Sequence, residues 1–155
     1  EGTMLKAQCS MAKFRIISAA VFGIWALGIG HWALNAQTPR TSWDGVFTEA
    51  QAARGTKLFT EQCSACHGAE MRGGAGAPSL AGPEFQFSWN KKSAAALFDY
   101  AKSFMPPGQP GSLSDAQYAD LMSALLKANG FPAGTTELPS AKADLESITI
   151  LTTKP

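Results

Sequence analysis

Cysteine, histidine and net charge are all scarce in this chain. Its 155 residues include three cysteines and two histidines, and 13 lysines and arginines nearly balance 12 acidic residues, for a formal net charge of +1. Three cysteines cannot build the disulfide framework of a small secreted domain. So small a net charge gives no electrostatic indication of nucleic-acid binding. The length and a hydrophobic fraction of 45% instead suit one small domain with an appendage.

Two of the three cysteines lie close together, in the run Cys63-Ser64-Ala65-Cys66-His67. Two cysteines separated by two residues, with a histidine directly after the second, are the signature of covalent haem attachment. Each thiol can add across one vinyl group of the porphyrin, and the adjacent imidazole can then provide the fifth ligand to the iron. The pattern therefore predicts one haem c that is bound through Cys63 and Cys66, with His67 as an iron ligand.

A redox-active dithiol and a structural zinc site are the alternatives for the same pattern. A thioredoxin-like dithiol follows a strand in a βαβ unit, whereas the sequence before Cys63 has helical periodicity. A structural zinc ion needs four ligands, and beyond the motif the chain offers only Cys9 and His31. Both lie in an N-terminal segment that we expect to be removed or embedded in a membrane, so haem attachment is favoured.

Residues 1–36 have the composition of a targeting segment. A basic start follows Met11, an apolar and almost uncharged run covers residues 16–34, and Ala36 precedes a polar stretch. This order is typical of a secretory signal peptide, and we predict cleavage after Ala36. The apolar run is also long enough for an uncleaved membrane anchor. Residues 1–10, which precede Met11, are assigned no function.

Residues 37–155 are predicted to form an all-α domain in the periplasm. Either interpretation of the N-terminal segment places this domain outside the cytoplasm. Apolar residues recur at helical intervals after Thr48, Ser93 and Ser114. The last of these runs predicts a buried stripe of Tyr118, Leu121, Met122, Leu125 and Leu126. Serine and threonine are favoured at helix N-caps, because their side-chain oxygen accepts a hydrogen bond from the first turn. Three helices are therefore expected to begin at these residues.

Two of these predicted helices have further features at fixed spacings. Gln51 follows Thr48 by three residues, and Gln117 follows Ser114 in the same way, which is the spacing of a capping box. Gly55 lies inside the first helix, where glycine costs about 1 kcal/mol relative to alanine. Two interpretations of Gly55 remain open: another backbone approaches it closely, or the glycine is merely tolerated.

The first helix and the motif share the pattern Gly55-x-x-Leu58-Phe59-x-x-x-Cys63-x-x-Cys66-His67-Gly68. This pattern resembles the N-terminal helix and haem-binding turn of class I c-type cytochromes, and the resemblance extends over residues 43–138. It is closest to the monohaem cytochromes associated with bacterial quinoprotein dehydrogenases, which have stretches similar to residues 43–48 and 129–134. The resemblance implies the cytochrome c fold, with three to four short helices around one covalently bound haem.

The resemblance also implies roles for residues outside the motif. In the family, a proline carbonyl accepts a hydrogen bond from the axial histidine, and Pro78 stands at the matching place. Trp89 resembles a family tryptophan that donates to a haem propionate. The alternation of Phe85, Phe87 and Trp89 with polar residues, taken alone, predicts core packing instead. Where the family has an aromatic residue at the crossing of the first and last helices, this chain has Ala124.

The second axial ligand of the iron is predicted to be Met105. Residues 37–155 contain one histidine, His67, so the remaining soft donors are Met71, Met105 and Met122. Met71 is tethered close to His67 on the same side of the iron, and Met122 lies in the apolar stripe of a predicted helix, where methionine is usually a core residue. Met105 follows a helix and precedes a proline, as the distal ligand of the resembled family does.

Ligation by histidine and methionine would fill both axial positions and leave none for a substrate. The sequence also offers no Ser/His/Asp set, no paired acid–base carboxylates and no phosphate-binding loop. We therefore predict a periplasmic carrier of single electrons with no catalytic residues, which is not an enzyme.

Redox proteins are the expected partners of such a carrier. A periplasmic dehydrogenase would be the electron donor, and another cytochrome or a terminal oxidase would be the acceptor. Nucleic acid is not expected, and a membrane is expected only if the N-terminal segment is uncleaved. Three alternatives stay open: a dedicated electron-accepting subunit of a quinoprotein dehydrogenase, a haem peroxidase with a labile or absent Met105 bond, and a dithiol protein without haem.

Overall fold

The computed structural model describes residues 39–74 and 76–155. The predicted signal peptide or anchor, its cleavage after Ala36, and the residues Cys9 and His31 lie outside the described residues. In chain order, the described elements are β1 (Arg40–Thr41), α1 (Glu49–Gln62), α2 (Ser64–His67), α3 (Pro83–Trp89), α4 (Ala94–Phe104), α5 (Asp115–Ala128), α6 (Lys142–Glu146) and β2 (Ile148–Thr149).

The prediction of an all-α domain is confirmed, although the expected number of helices was too low. The described chain has six helices. The additional ones are short, of four to seven residues, which is too short for a clear periodic pattern in the sequence. Within the described ranges, every helix is too short or too polar to cross a membrane.

Side-chain caps fix the starts of the three long helices where the sequence predicted them. Each cap oxygen accepts a hydrogen bond from a backbone N–H in the first turn, which satisfies a donor that the helix itself cannot pair. The pairs are Thr48 with Gln51, Ser93 with Ala96, and Ser114 with Gln117. The reciprocal half of a capping box is present at Ser114, whose N–H donates to Gln117 Oε1 over 2.9 Å.

Gln51 does not complete the capping box that its spacing predicts. Its amide is 2% exposed and pairs with the backbone of Leu138 instead: Nε2 donates to the carbonyl over 3.0 Å, and Oε1 accepts from the N–H over 2.7 Å. Buried backbone groups without a partner are costly, whereas the N-cap N–H can be hydrated. The long-range pairing therefore prevails, and it anchors the C-terminal tail to α1.

Replacing Gln51 with leucine should lower the free energy of unfolding by about 2 kcal/mol or more, because both backbone groups of Leu138 lose their buried partner. Urea titration of the variant would measure the loss. Gln86→Leu on the exposed face of α3 is the matched control, and it should change the stability by less than about 0.5 kcal/mol. Equal stability of the two variants would contradict the anchoring role.

Helices α1 and α5 touch backbone to backbone at Gly55. A Cβ added there would lie 1.8 Å from the carbonyl oxygen of Asp120 and 3.1 Å from the Cβ of Ala124. Only glycine permits such an approach, so close contact is the correct interpretation of Gly55. Ala124, which replaces the aromatic residue of the resembled family, is 2% exposed and forms part of the same crossing.

Replacing Gly55 with alanine should destabilise the domain, although alanine is the better helix former. The gain in helix propensity is about 1 kcal/mol, whereas the overlap with α5 costs about 3 kcal/mol or more. We therefore expect a net loss of about 2 kcal/mol in the free energy of unfolding, measured by denaturant titration. Ala53→Gly, on the exposed face of α1, should cost only the propensity difference of about 1 kcal/mol. Unchanged or increased stability of Gly55→Ala would refute the close crossing.

The C-terminal tail completes the domain by pairing with its N-terminal lead-in. Strand β2 pairs in parallel with β1, and Arg40 lies opposite Ile148. The Trp43 indole donates to the carbonyl of Leu151 over 2.8 Å. Leu145, Ile148 and Ile150 of the tail are at most 2% exposed, so the tail contributes to the core rather than trailing over the surface.

The aromatic run from Phe85 to Trp89 forms helix α3. Phe85 is 1% exposed, whereas Phe87 is 92% exposed and Trp89 is partly buried. Side chains two positions apart on a helix point in nearly opposite directions. Core packing is therefore correct for Phe85 and wrong for Phe87.

Candidate haem site

A cavity of about 590 Å³ is lined by all four residues predicted to hold the haem: Cys63, Cys66, His67 and Met105. This volume lies in the range of roughly 300 to 1,000 Å³ that is usual for cofactor sites. Much of the wall is apolar and comes from α1, α3, α4 and α5, through Phe59, Phe85, Leu97, Leu121, Met122 and Leu125. The fold thus brings together residues that lie far apart in the sequence, in surroundings suited to a large flat apolar group.

Two successive helical turns present the cysteines and the histidine to this cavity. Helix α1 ends at Gln62, and the N–H of its cap residue Cys63 donates to the carbonyl of Phe59 over 2.8 Å. The carbonyl of Cys63 then accepts from the N–H of His67 over 3.0 Å in the short helix α2. Because only Cys63 separates α2 from α1, both thiols and the imidazole reach one cavity wall.

The electrostatics of Cys63 do not suit a redox-active dithiol. Burial, with a smaller contribution from the neighbouring Cys66 thiol, raises the pKa of the Cys63 thiol above its usual value. Reactive dithiols have a lowered pKa, because the thiolate is the attacking form. Among the described residues, no three His, Cys, Asp or Glu side chains form a cluster that could hold a metal ion by themselves. Both observations favour the haem interpretation of the motif.

The imidazole of His67 is oriented by the backbone of the following loop. Its Nδ1 lies 2.9 Å from the carbonyl oxygen of Pro78, and His67 is 6% exposed. Since a carbonyl can only accept, Nδ1 carries the proton and Nε2 has the free lone pair. Such a bond fixes the ring and raises its basicity as an iron ligand. The hydrogen bond that the resemblance implied for Pro78 is thus present.

The glycine-rich loop after His67 folds tightly against its own backbone. Gly73 has φ of 82°, and a Cβ there would lie 2.9 Å from the carbonyl oxygen of Ala77. The N–H of Gly73 donates to the carbonyl of His67 over 2.8 Å. This compact turn brings Pro78 back to the imidazole, and it requires glycine at position 73.

Met105 lies at the C-terminal end of α4, and both its backbone N–H and its backbone carbonyl are hydrogen-bonded. Its N–H donates to Ala101 over 2.8 Å, and its carbonyl accepts from the hydroxyl of Tyr118 over 2.7 Å. Of the other candidate methionines, Met122 also lines the cavity, whereas Met71 is buried in the core with 6% exposure. The assignment of Met105 as the second axial ligand stays a prediction. Met122 is an alternative, because it lines the same cavity.

Lys92 and Tyr118 also line the cavity, and no signal in the sequence indicated this. The Nζ atom of Lys92 lies 5.0 Å from the ring centroid of Trp89, and both residues line the cavity. A cation and an indole N–H at the wall fit the carboxylates of a porphyrin. Lys92 was indistinguishable from a solvated lysine, and Tyr118 was predicted only as part of an apolar stripe.

Comparison with known proteins relates this domain to cytochromes. Residues 50–123 match the family model of cytochrome c oxidase, cbb3-type, subunit III. A thiosulfate dehydrogenase of Psychrobacter arcticus is 39% identical over 85 residues, which covers 48% of this chain and 25% of that protein. The chain therefore spans about a quarter of the length of this curated relative. A crystal structure of the sulfane dehydrogenase SoxCD from Paracoccus pantotrophus has 26% identity and a TM-score of 0.43, over 67% of this chain and 59% of the other.

The family match covers α1, the haem-attachment motif, α3, α4 and most of α5, and these are the elements that line the cavity. The paired thiols, the oriented imidazole and the apolar wall fit the group that this family binds. The described domain therefore has the cytochrome c fold, and its prosthetic group is covalently bound haem c with its iron.

Proposed function

We propose that this protein carries single electrons, with the haem iron held between His67 and Met105. The observation that supports this most strongly is that these two residues line one largely apolar cavity although they are distant in sequence. When bound, haem supplies an iron that accepts and releases one electron. The chain supplies two thiols for attachment, an imidazole fixed by Pro78, and a thioether from a loop whose backbone is hydrogen-bonded.

These residues suit electron transfer rather than catalysis. If His67 and Met105 both bound the iron, no position would remain at which a substrate or peroxide could bind it. Much of the cavity wall is apolar, which would limit the solvent rearrangement that accompanies a change of charge on the iron. A methionine ligand favours the reduced iron and so raises the reduction potential.

We further propose that the domain works in the periplasm, delivered there by residues 1–36, and that its partners are other redox proteins. A dehydrogenase would supply the electron, and another cytochrome or a terminal oxidase would receive it. Encounters between such partners usually bury little surface, which allows rapid exchange.

A second candidate is that the domain is the electron-accepting part of a dehydrogenase. The similarity to a thiosulfate dehydrogenase favours it, because this chain matches only 25% of that longer protein. The resemblance of residues 43–48 and 129–134 to cytochromes associated with quinoprotein dehydrogenases suggests a different donor enzyme. Purification of the tagged full chain from its native host would separate the candidates: a stoichiometric dehydrogenase favours a dedicated subunit, and a protein recovered alone favours a free carrier.

Peroxide turnover tests the carrier against the peroxidase alternative. The purified haem protein, reduced and mixed with an excess of hydrogen peroxide, should show no catalytic oxidation of a small electron donor at neutral pH, because both axial positions are filled. Rapid electron exchange with a soluble cytochrome should persist under the same conditions. Sustained peroxide turnover by the intact protein would refute the carrier proposal.

A further inference from the structure

We propose that Tyr118 and Asn129, near the two ends of α5, are the positioning residues that hold the two ligand-bearing segments against the haem. Tyr118 bonds the segment that carries Met105, and Asn129 bonds the segment that follows Pro78. One helix would thereby hold both of the segments that are proposed to position the iron ligands. The proposal rests on the proposed function, since it assumes that His67 and Met105 both bind the iron.

The hydroxyl of Tyr118 links the backbone of Met105 to the backbone of Gly111. The Tyr118 O–H donates to the carbonyl of Met105 over 2.7 Å, and its oxygen accepts from the N–H of Gly111 over 3.1 Å. The ring is 1% exposed and packs edge-on against Phe98, with 5.9 Å between the centroids. A fixed ring and a two-sided hydrogen bond hold both ends of the intervening proline-containing turn, residues 106–110, in one position.

Asn129 makes three hydrogen bonds at the C-terminal end of α5. Its Oδ1 accepts from the N–H of Gly82 over 2.9 Å, and its Nδ2 donates to the carbonyl of Leu80 over 3.0 Å. The same Nδ2 donates to Leu125 within α5 over 2.8 Å. The segment just after Pro78, whose carbonyl orients His67, is thereby attached to the same helix that holds the Met105 segment.

The Tyr118 hydroxyl should act on the bond between Met105 and iron, beyond any effect on overall stability. Its two hydrogen bonds exist while the Met105 segment is in place, and they break when that segment moves away from the iron. Removing the hydroxyl therefore weakens the bound arrangement and leaves the displaced one unchanged. The equilibrium between them shifts toward displacement, and external ligands bind the iron more easily.

Titration of the ferric holoprotein with imidazole tests this role. We expect Tyr118→Phe to bind imidazole about tenfold more tightly than the wild type, which corresponds to the loss of hydrogen bonds at this one site. The phenyl ring retains the packing against Phe98. Ser123→Ala is the matched control, because Ser123 is also buried on α5 and donates to Ala119 over 2.9 Å, away from both segments. It should lower the stability and leave the imidazole affinity unchanged.

Asn129→Ala should instead affect His67, the ligand on the other side of the haem. Loosening the segment after Pro78 weakens the hydrogen bond to His67, which lowers ligand basicity and moves the midpoint potential upward. The exchange of the His67 Nδ1 proton with solvent, followed by NMR of the reduced protein, should become faster. Asn129→Asp, which keeps the acceptor for Gly82 and loses the donors, should give a smaller change in the same direction.

The outcomes separate this proposal from the proposed function. Absence of a sulfur-to-iron band in the wild type would show that Met105 is not a ligand, and both proposals would fail. If the band is present but Tyr118→Phe and Ser123→Ala bind imidazole with wild-type affinity, the positioning role of Tyr118 is refuted and the carrier proposal stands. An unchanged potential and an unchanged proton exchange in both Asn129 variants would refute the role of Asn129.

Discussion

Replacing Cys63 and Cys66 together with alanine should abolish covalent haem attachment. Both thiols line the cavity beside His67, and no other cysteine is present in residues 37–155. Without a thioether, the haem depends on axial ligation and apolar contacts, and both are lost when the chain unfolds. Haem staining after denaturing electrophoresis, with protein from a host that matures c-type cytochromes, should therefore be positive for the wild type and blank for the double variant.

Ser64→Ala is the matched control for that experiment, because Ser64 lies between the two cysteines and its replacement leaves both in place. It should retain the full haem stain. Single replacements of Cys63 or Cys66 should leave one thioether and a weaker signal. Haem that survives denaturation in the double variant would mean that the group is attached elsewhere, and the assignment of the motif would fail.

Replacing Met105 with alanine should leave the haem attached but lower the midpoint potential by on the order of 0.1 to 0.3 V, within the roughly 0.8 V that axial ligation can span. The thioether stabilises the reduced iron, so water or an open position in its place favours the oxidised form. Spectroelectrochemical titration of the variant would measure the change. The attachment through Cys63 and Cys66 is independent of this residue and should be unaffected.

Two other methionines provide the controls. Met71 is buried away from the cavity lining, so Met71→Ala should lower the stability and leave the potential near the wild-type value. Met122 shares the cavity with Met105, so Met122→Ala tests whether the sequence selected the correct methionine. A large drop in potential in Met122→Ala, with none in Met105→Ala, would move the ligand assignment to α5.

The parts of the fold that the sequence predicted are those determined by short-range signals. The starts of α1, α4 and α5 follow from Thr48, Ser93 and Ser114, whose caps act within one helical turn. The end of α4 just before Met105 follows from the prolines at positions 106 and 107. The haem motif could be predicted equally well, because its chemistry requires two cysteines and a histidine at a fixed spacing.

The parts that the sequence missed depend on contacts between distant residues. The spacing of Gln51 indicated a local cap, yet its amide pairs with Leu138 in the C-terminal tail. The sequence left two interpretations of Gly55 open. The close approach of the Asp120 carbonyl on α5 decides between them. Tyr118 was correctly predicted as buried, but its hydroxyl bonds to Met105 and Gly111 could not be inferred from an apolar periodicity. Tertiary partners of this kind have no local signature.

The absorption spectrum of the ferric holoprotein at neutral pH tests the central claim most directly. We predict a sulfur-to-iron charge-transfer band in the wild type that is present in Met71→Ala and absent in Met105→Ala. A wild-type spectrum without this band, or one in which the band survives the loss of Met105, would contradict the proposal that the iron is held between His67 and Met105.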